Sequence, residues 1–562
     1  MRLSGCFPRA PTYSVVCLAL GAALFSTAFV HQGSTDTADA SSVLRSIVSA
    51  GRLEELRWPD FSDYRPILEA FYTPTNFQFA WIRDGRPTPQ AGEVIASFQK
   101  ADLTGLNPED YDASRWPERI GRLSSSSPAD QAHFDVALSV CVMRYISDLR
   151  IGRVNPQHLK FNLDVGPKKL DLAAFIRTRI VAGQNIPAEI AAVEPPFAGY
   201  RRTQETLQRY VELARTESGE NLPVPAKPID PGSHYAGISP LARFLRLVGD
   251  LPADAPEPTS DRYEGDLVEA VQRFQLRHGL DPDGRLGPQT IKQINVPLTA
   301  RVHQLQLTLE RWRWVPHTFE QPPIIVNIPE FRLRAFSADG KAALAMNVIV
   351  GKSYRHQTPV FERDMKYVVF RPYWNVPISI QRSEIVPAIK KNRDYIQAKG
   401  YEVTTPSGQV VTSGPISDEV LEQLRTGKLF VRQKPGPSNA LGLVKLMFPN
   451  EYNVYLHSTP SQALFARSRR DFSHGCIRVE KPAELAAWVL RNNEGWTLER
   501  IQSTMNGSQD NVQVNLTRPV PVLILYGTAV VDPDNQVHFY DDIYGYDADL
   551  DKVLAKGYPY PG

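Results

Sequence analysis

The sequence predicts a multidomain α+β protein: a helical scaffold domain, a small three-helix module, and a mostly-β domain carrying a helical lid insert. Three observations carry that prediction. Apolar residues recur at i, i+3, i+4 from Ser41 to about Tyr210, and the period becomes two from about Pro322. Pro-rich stretches without any period lie between the parts. The chain has 562 residues, too long for a single core. Its hydrophobic content of 42% and charged content of 22% are those of a globular protein. The net charge of +2 comes without a long basic block and implies no nucleic-acid partner.

Residues 1–40 read as a targeting segment. Arg2 and Arg9 precede an uncharged apolar run, Tyr13 to Val30, and Ala38-Asp39-Ala40 offers a cleavage signal. About 18 apolar residues are also near the shortest bilayer span. A cleaved signal peptide and an N-terminal membrane anchor both stay open, and either one exports the rest of the chain.

Residues 41–221 form the helical scaffold domain, with "DQAHFDVALSVCVMRYISDLRIG" as its most apolar helix. "LPVPAKPIDPGS", Leu222 to Ser233, is a linker. The three-helix module follows at 235–297. Leu267, Val271 and Phe274 share one helix face, "DPDG" turns the chain, and Pro288 opens the next helix. A calcium loop at Asp281 and Asp283 is excluded, because Gly284 comes too early and Lys292 stands where a bidentate Glu is needed.

The third domain is expected over 322–515. "PPIIVNIPEFRLRAF", "ALAMNVIVG", "KYVVFRPYWNVP" and "YNVYLHSTP" read as strands rich in Val, Ile, Tyr and Phe. A mostly helical insert at about 379–434 interrupts them as a mobile lid. The acidic, aromatic tail within 516–562 reads as a solvated closing segment. Trp312 and Trp314 in "ERWRW" read as packing between scaffold and β domain.

Four cysteines occur, of which Cys6 and Cys17 belong to the targeting segment. The remaining pair, Cys141 and Cys476, is no disulfide framework for an exported chain of this length. Cys141 lies in an apolar helical pattern and reads as inert packing. Cys476 follows His474-Gly475, and a second histidine, His457, lies upstream. A hairpin-like return from "YLHSTP" to "SHGC" would bring His457 beside Cys476 as its base. A nearby carbonyl, that of Ser458, would then fix the imidazole tautomer. The N–H groups of Gly475 and Cys476 would stabilise an oxyanion. Cys476, His457 and His474 alone fall short of a zinc set, so no metal or cofactor is expected. Tyr455 shares the strand face of His457. An interacting pair would leave the thiol ionised well below the free value of about 8.5.

Two resemblances sharpen this. The run "AVQRFQLRHGLDPDGRLGPQT" resembles the peptidoglycan-binding domain family. "HST" at His457 to Thr459 followed by "SHGCIRV" at Ser473 to Val479 resembles the signature of the L,D-transpeptidase catalytic domain family. "RPYWNVPISI", "RQKPGPSNALGLVKLMFPNEYNVYLHSTP" and the domain order resemble its large Gram-negative subtype.

The resemblance implies Cys476 as nucleophile, His457 as base and Ser458 as the residue whose carbonyl orients it. It implies loop support from Ser473, His474 and Gly475, and substrate contacts from Arg478, Tyr455, Trp374 and Asn439. The implied partners are peptidoglycan stem peptides and glycan in the periplasm, and carbapenems as inhibitors. The implied reaction joins two stems by a 3-3 cross-link. Water as acceptor would make a carboxypeptidase, and a lipoprotein lysine an anchoring enzyme. A catalytically silent wall-binding scaffold is the alternative from another class.

Overall fold

The computed structural model describes residues 33–217, 219–353 and 356–558. The apolar run 13–30 expected as leader or anchor lies outside them. Among the described residues no helix is long and apolar enough to cross a membrane.

The scaffold domain is built around the helix Pro128–Ile151. Ser127 and Asp130 cap its start reciprocally, and Pro128 supplies the first helical φ. Nearly all of its turns are buried, with Cys141 among Trp81, Phe98, Tyr111 and Trp116. Burial pushes the Cys141 thiol far above its ordinary value, which makes it inert packing. The module consists of the helices Ile238–Val248, Asp266–Arg277 and Pro288–Ile294 around Leu241, Leu245, Val271, Phe274 and Ile291.

The β domain holds nine paired strands: β1 (Ile324–Asn327), β2 (Arg332–Phe336), β3 (Ala342–Gly351), β4 (Phe361–Phe370), β5 (Val444–Met447), β6 (Leu456–His457), β7 (Asp471–Ser473), β8 (Ile477–Val479) and β9 (Val512–Leu525). The order is β7-β3-β8-β6-β5-β4-β9-β1-β2, and pairing between β2 and β3 closes the sheet on itself. Strand alternation sends Val444, Leu446, Leu456, Ile477 and Val479 into the core, beneath the helix Pro482–Val489. Residues 445, 455, 457, 476 and 478 therefore share the opposite face.

Three expectations are amended here. The insert is mainly helical as expected, but not by helices alone. A four-stranded sheet (374–375, 401–404, 410–412 and 430–433) packs with its helices around Ile385, Ile389, Val403, Leu424 and Val431. The insert has its own core because Val403 and Val431 of its strands bury against Ile385, Ile389 and Leu424 of its helices. Second, a domain end at 515 would cut β9, which lies between β4 and β1 and is held by both neighbours. Its apolar half, Val520 to Leu525, comes after that boundary.

Third, the tail is not solvated. Tyr544 is buried, its hydroxyl donates to the Gly351 carbonyl at 2.5 Å, and it accepts from the Thr358 N–H at 3.2 Å. Asp547 pairs with Arg311 of the connecting helix Leu298–Trp312. Trp314, after that helix, is buried in the core of the β domain against Phe161 of the scaffold, with ring centroids 6.0 Å apart. The two domains thus share an apolar contact, a firmer join than a flexible linker.

Candidate active site

The strand pairing that assembles the site is parallel, not hairpin-like. Leu456 pairs with Ile477 and His457 with Arg478. The chain between β6 and β8 crosses to the far edge of β3, where β7 pairs with it in parallel, and only then returns. Cys476 therefore lies beside Tyr455, and His457 lies one pleat further along. The thiol points to the Asn453 carbonyl at 3.6 Å, and the Tyr455 hydroxyl and N–H lie beside it.

The loop before Cys476 is held by short contacts. Ser473 Oγ donates to the Cys476 carbonyl at 2.5 Å and accepts from the Gly475 N–H at 3.1 Å. Gly475 needs its φ of +115°, a conformation that side chains strain against. The expectation that its N–H serves an oxyanion is corrected, since Ser473 already takes it. The Cys476 N–H has no partner among the described residues. Thr358, fully buried, donates to the Gly475 carbonyl at 2.8 Å and ties the loop to β3 through the Gly351 N–H at 2.9 Å.

His457 is buried, with Nδ1 2.6 Å from the Ser458 carbonyl. A carbonyl only accepts, so the proton sits on Nδ1 and Nε2 is left basic. Burial, then the Arg478 and Lys445 cations, lower its pKa to about 3. Burial also pushes the Cys476 thiol up, against the smaller opposing pull of Tyr455, Lys445 and Arg478. The expected low-pH thiolate is thereby corrected. Both groups rest neutral because each is desolvated.

His474 turns away from the thiol. Its Nε2 lies 2.6 Å from Oε1 of Glu384 in the insert, and its ring meets His356 at 4.8 Å. Trp374, also on the insert, packs against Tyr401 and presents its indole to the Tyr455 phenol. Asn439 does not line the groove. It is fully buried, donates to the carbonyls of Pro372, Gln433 and Lys434, and accepts from the Leu441 N–H. It pins the two chain ends of the insert together instead of touching a substrate. Arg478 is half-buried, and its Nε has no hydrogen-bond partner.

Sequence reasoning missed Thr358, Asn453, Glu384 and Lys445. The signal for Lys445 was a cation inside the apolar strand "LVKLMF", facing away from the core. The others touch the site only through distant pairings.

Residues 322–524 match the model of the L,D-transpeptidase catalytic domain, residues 238–294 that of the "Putative peptidoglycan binding domain", and residues 66–207 that of a scaffold domain. A protein of Haemophilus influenzae named "Putative L,D-transpeptidase" is 33% identical over 316 residues. That alignment covers 54% of this chain and 63% of the relative, so the chain spans less than two thirds of the relative's length. A solved L,D-transpeptidase from Xylanimonas cellulosilytica is 14% identical and is covered entirely by 54% of this chain, with a TM-score of 0.16. One from Stackebrandtia nassauensis is 12% identical over 53% of this chain and 97% of its own, with a TM-score of 0.21. Scores this low carry no structural argument.

Proposed function

We propose that this chain, whose residues 322–524 are an L,D-transpeptidase catalytic domain, transfers peptidoglycan stem peptides through a thioester on Cys476. The observation that carries the proposal is the Nδ1 contact of His457 with Ser458. It leaves a neutral Nε2 on the same sheet face as the thiol.

Cys476 Sγ attacks the carbonyl between the third stem residue, diaminopimelate, and its terminal D-Ala, while His457 Nε2 takes the thiol proton. A general base that stays neutral down to acid pH suits a thiol kept protonated by burial. Rotation of the thiol from the Asn453 carbonyl toward the imidazole precedes attack. The Cys476 N–H and the Tyr455 hydroxyl are the donors available to the oxyanion. Collapse breaks the C–N bond, and His457 returns the proton to the departing D-Ala amine. The amine of a second stem then attacks the thioester carbonyl. Its proton passes through His457 to the leaving sulfur, giving a 3-3 cross-link and the free thiol.

The module at 238–294 would hold the wall while the insert, touching the site through Glu384 and Trp374, gathers the stem. This work belongs outside the cytoplasm, in the periplasm. Intact-protein mass spectrometry with a disaccharide-tetrapeptide, run beside Cys476→Ala, tests the proposal. The expected result is a Cys476-dependent acyl adduct lacking D-Ala, followed by 3-3 dimers. Adducts that resolve only to tripeptide would make water the acceptor. Absence of any adduct would remove the nucleophile.

A further inference from the structure

We propose that Lys445 is a specificity-determining residue that, together with Arg478, receives a carboxylate of the donor peptide beside the scissile bond. This rests on the Cys476 acyl-transfer reading and deepens it by naming what the site demands of its substrate.

The register places the two cations. Lys445 on β5 stands directly opposite His457 on β6, and His457 stands opposite Arg478 on β8. Directly opposed residues project from the same face, so the imidazole is flanked on both sides. Two strand spacings put the cationic strands about 10 Å apart. The Lys445 ammonium lies over the Tyr455 ring, 3.9 Å from its centroid, and that phenol lies beside the Cys476 thiol. The ammonium is thus held at the nucleophile and not on the outer rim.

Neither cation has a protein anion among the described residues. Lys445 and Arg478 form no ion pair there, although Arg and Lys elsewhere in the β domain pair freely, as Arg334 does with Glu330 and Arg469 with Asp471. Arg478 Nε is buried without any acceptor. Burial lowers both groups, and the one opposing charge acting on either is the Cys476 thiolate. Desolvated, unpaired cations are costly, so a site that keeps two of them is prepared for an anion that arrives with the ligand. The thiol is not that anion at rest, since it stays protonated in spite of both cations.

A tetrapeptide stem brings two carboxylates near the reacting carbonyl: the C-terminal one of the departing residue, and the side-chain one of the third residue. Either has the shared chemistry, and a charge-assisted hydrogen bond in a desolvated site distinguishes carboxylate from amide strongly.

The test measures binding to the full chain carrying Cys476→Ala, so that no turnover intervenes. The probes are the acetylated tetrapeptide acid, its C-terminal amide and its side-chain amide. With Lys445 present, amidating the carboxylate that is read should weaken binding about tenfold or more. In Lys445→Met that penalty should shrink to about twofold or less, and Lys445→Arg should restore it, which a packing role for the side chain would not do. The probe whose penalty collapses identifies the carboxylate.

Equal binding of acid and both amides to the Lys445 protein overturns the assignment, as does a penalty that survives in Lys445→Met. If the wild-type chain forms no acyl adduct with the tetrapeptide, the transpeptidase reading fails. The binding comparison in Cys476→Ala still decides the role of Lys445. Thermal melting of each variant shows whether it is folded, and Arg keeps the charge if Met does not fold.

Discussion

Nδ1 of His457 lies 2.6 Å from the carbonyl of Ser458, the next residue in the chain, so the backbone itself selects the tautomer of the buried imidazole. A tautomer set this way does not need a carboxylate partner: the imidazole meets the backbone of Ser458 and Leu441.

The first prediction concerns the thiol. Burial raises the Cys476 pKa, and His457 is too weak a base to hold an imidazolium–thiolate pair at rest. Alkylation of Cys476 by iodoacetamide should therefore accelerate only above the free-cysteine range of about 8.5, without a plateau between about pH 5 and 8. A plateau in that window would mean a preformed ion pair and contradict the neutral resting site.

Acid should also destabilise the fold through His457. Its folded pKa of about 3 lies below the unfolded value of about 6.5, so the unfolded chain binds the proton first as pH falls. Stability from this group is complete above about pH 6.5 and is lost progressively toward pH 3, by on the order of a few kcal/mol. Melting temperatures measured from pH 7 to pH 4 should fall less steeply in His457→Gln than in the wild type. Parallel curves would assign acid lability to other groups.

Glu384 reaches from the insert to His474 Nε2 at 2.6 Å, a single partly exposed contact. Such pairs contribute about 0.2–1 kcal/mol. Glu384→Gln should speed hydrogen exchange at the contact, in 380–386 and 473–476, by up to about fivefold. Unchanged exchange there would show that the insert is seated by Trp374 and its other contacts alone.

Gly442 is required where it stands. Its φ is +60°, and a Cβ there would lie 2.5 Å from Ser458 Oγ and 2.8 Å from the Thr459 N–H. Gly442→Ala should cost about 1–3 kcal/mol of stability and lower kcat, because it displaces the carbonyl that holds His457. Gly92→Ala, in a helix with nothing near its Cβ, should be neutral or slightly stabilising. Equal melting of the two variants would remove the steric argument for Gly442.

Much of the architecture was legible because it is local. Apolar spacing in the helix Ile238–Val248 and alternation in Val444 to Met447 each declare which side is buried, without reference to any distant residue. The insert was misread where its short strands interleave with helices, since four-residue runs carry little period. The tail was misread because its aspartates suggested solvent, whereas Tyr544 and Asp547 spend their polar groups on Thr358, Gly351 and Arg311.

By itself the sequence determined the candidate groups, a thiol after His474-Gly475 and a histidine before Ser458, and the three-part division of the chain. Only the tertiary structure decided how they meet. Parallel pairing of β6 and β8 puts Cys476 beside Tyr455, and β5 adds Lys445 to the face of His457 and Arg478. The protonation states were decided there too, because burial and the fields of two cations come from strands remote in sequence. Desolvation and Coulomb terms depend on distance in space, which no spacing along the chain records.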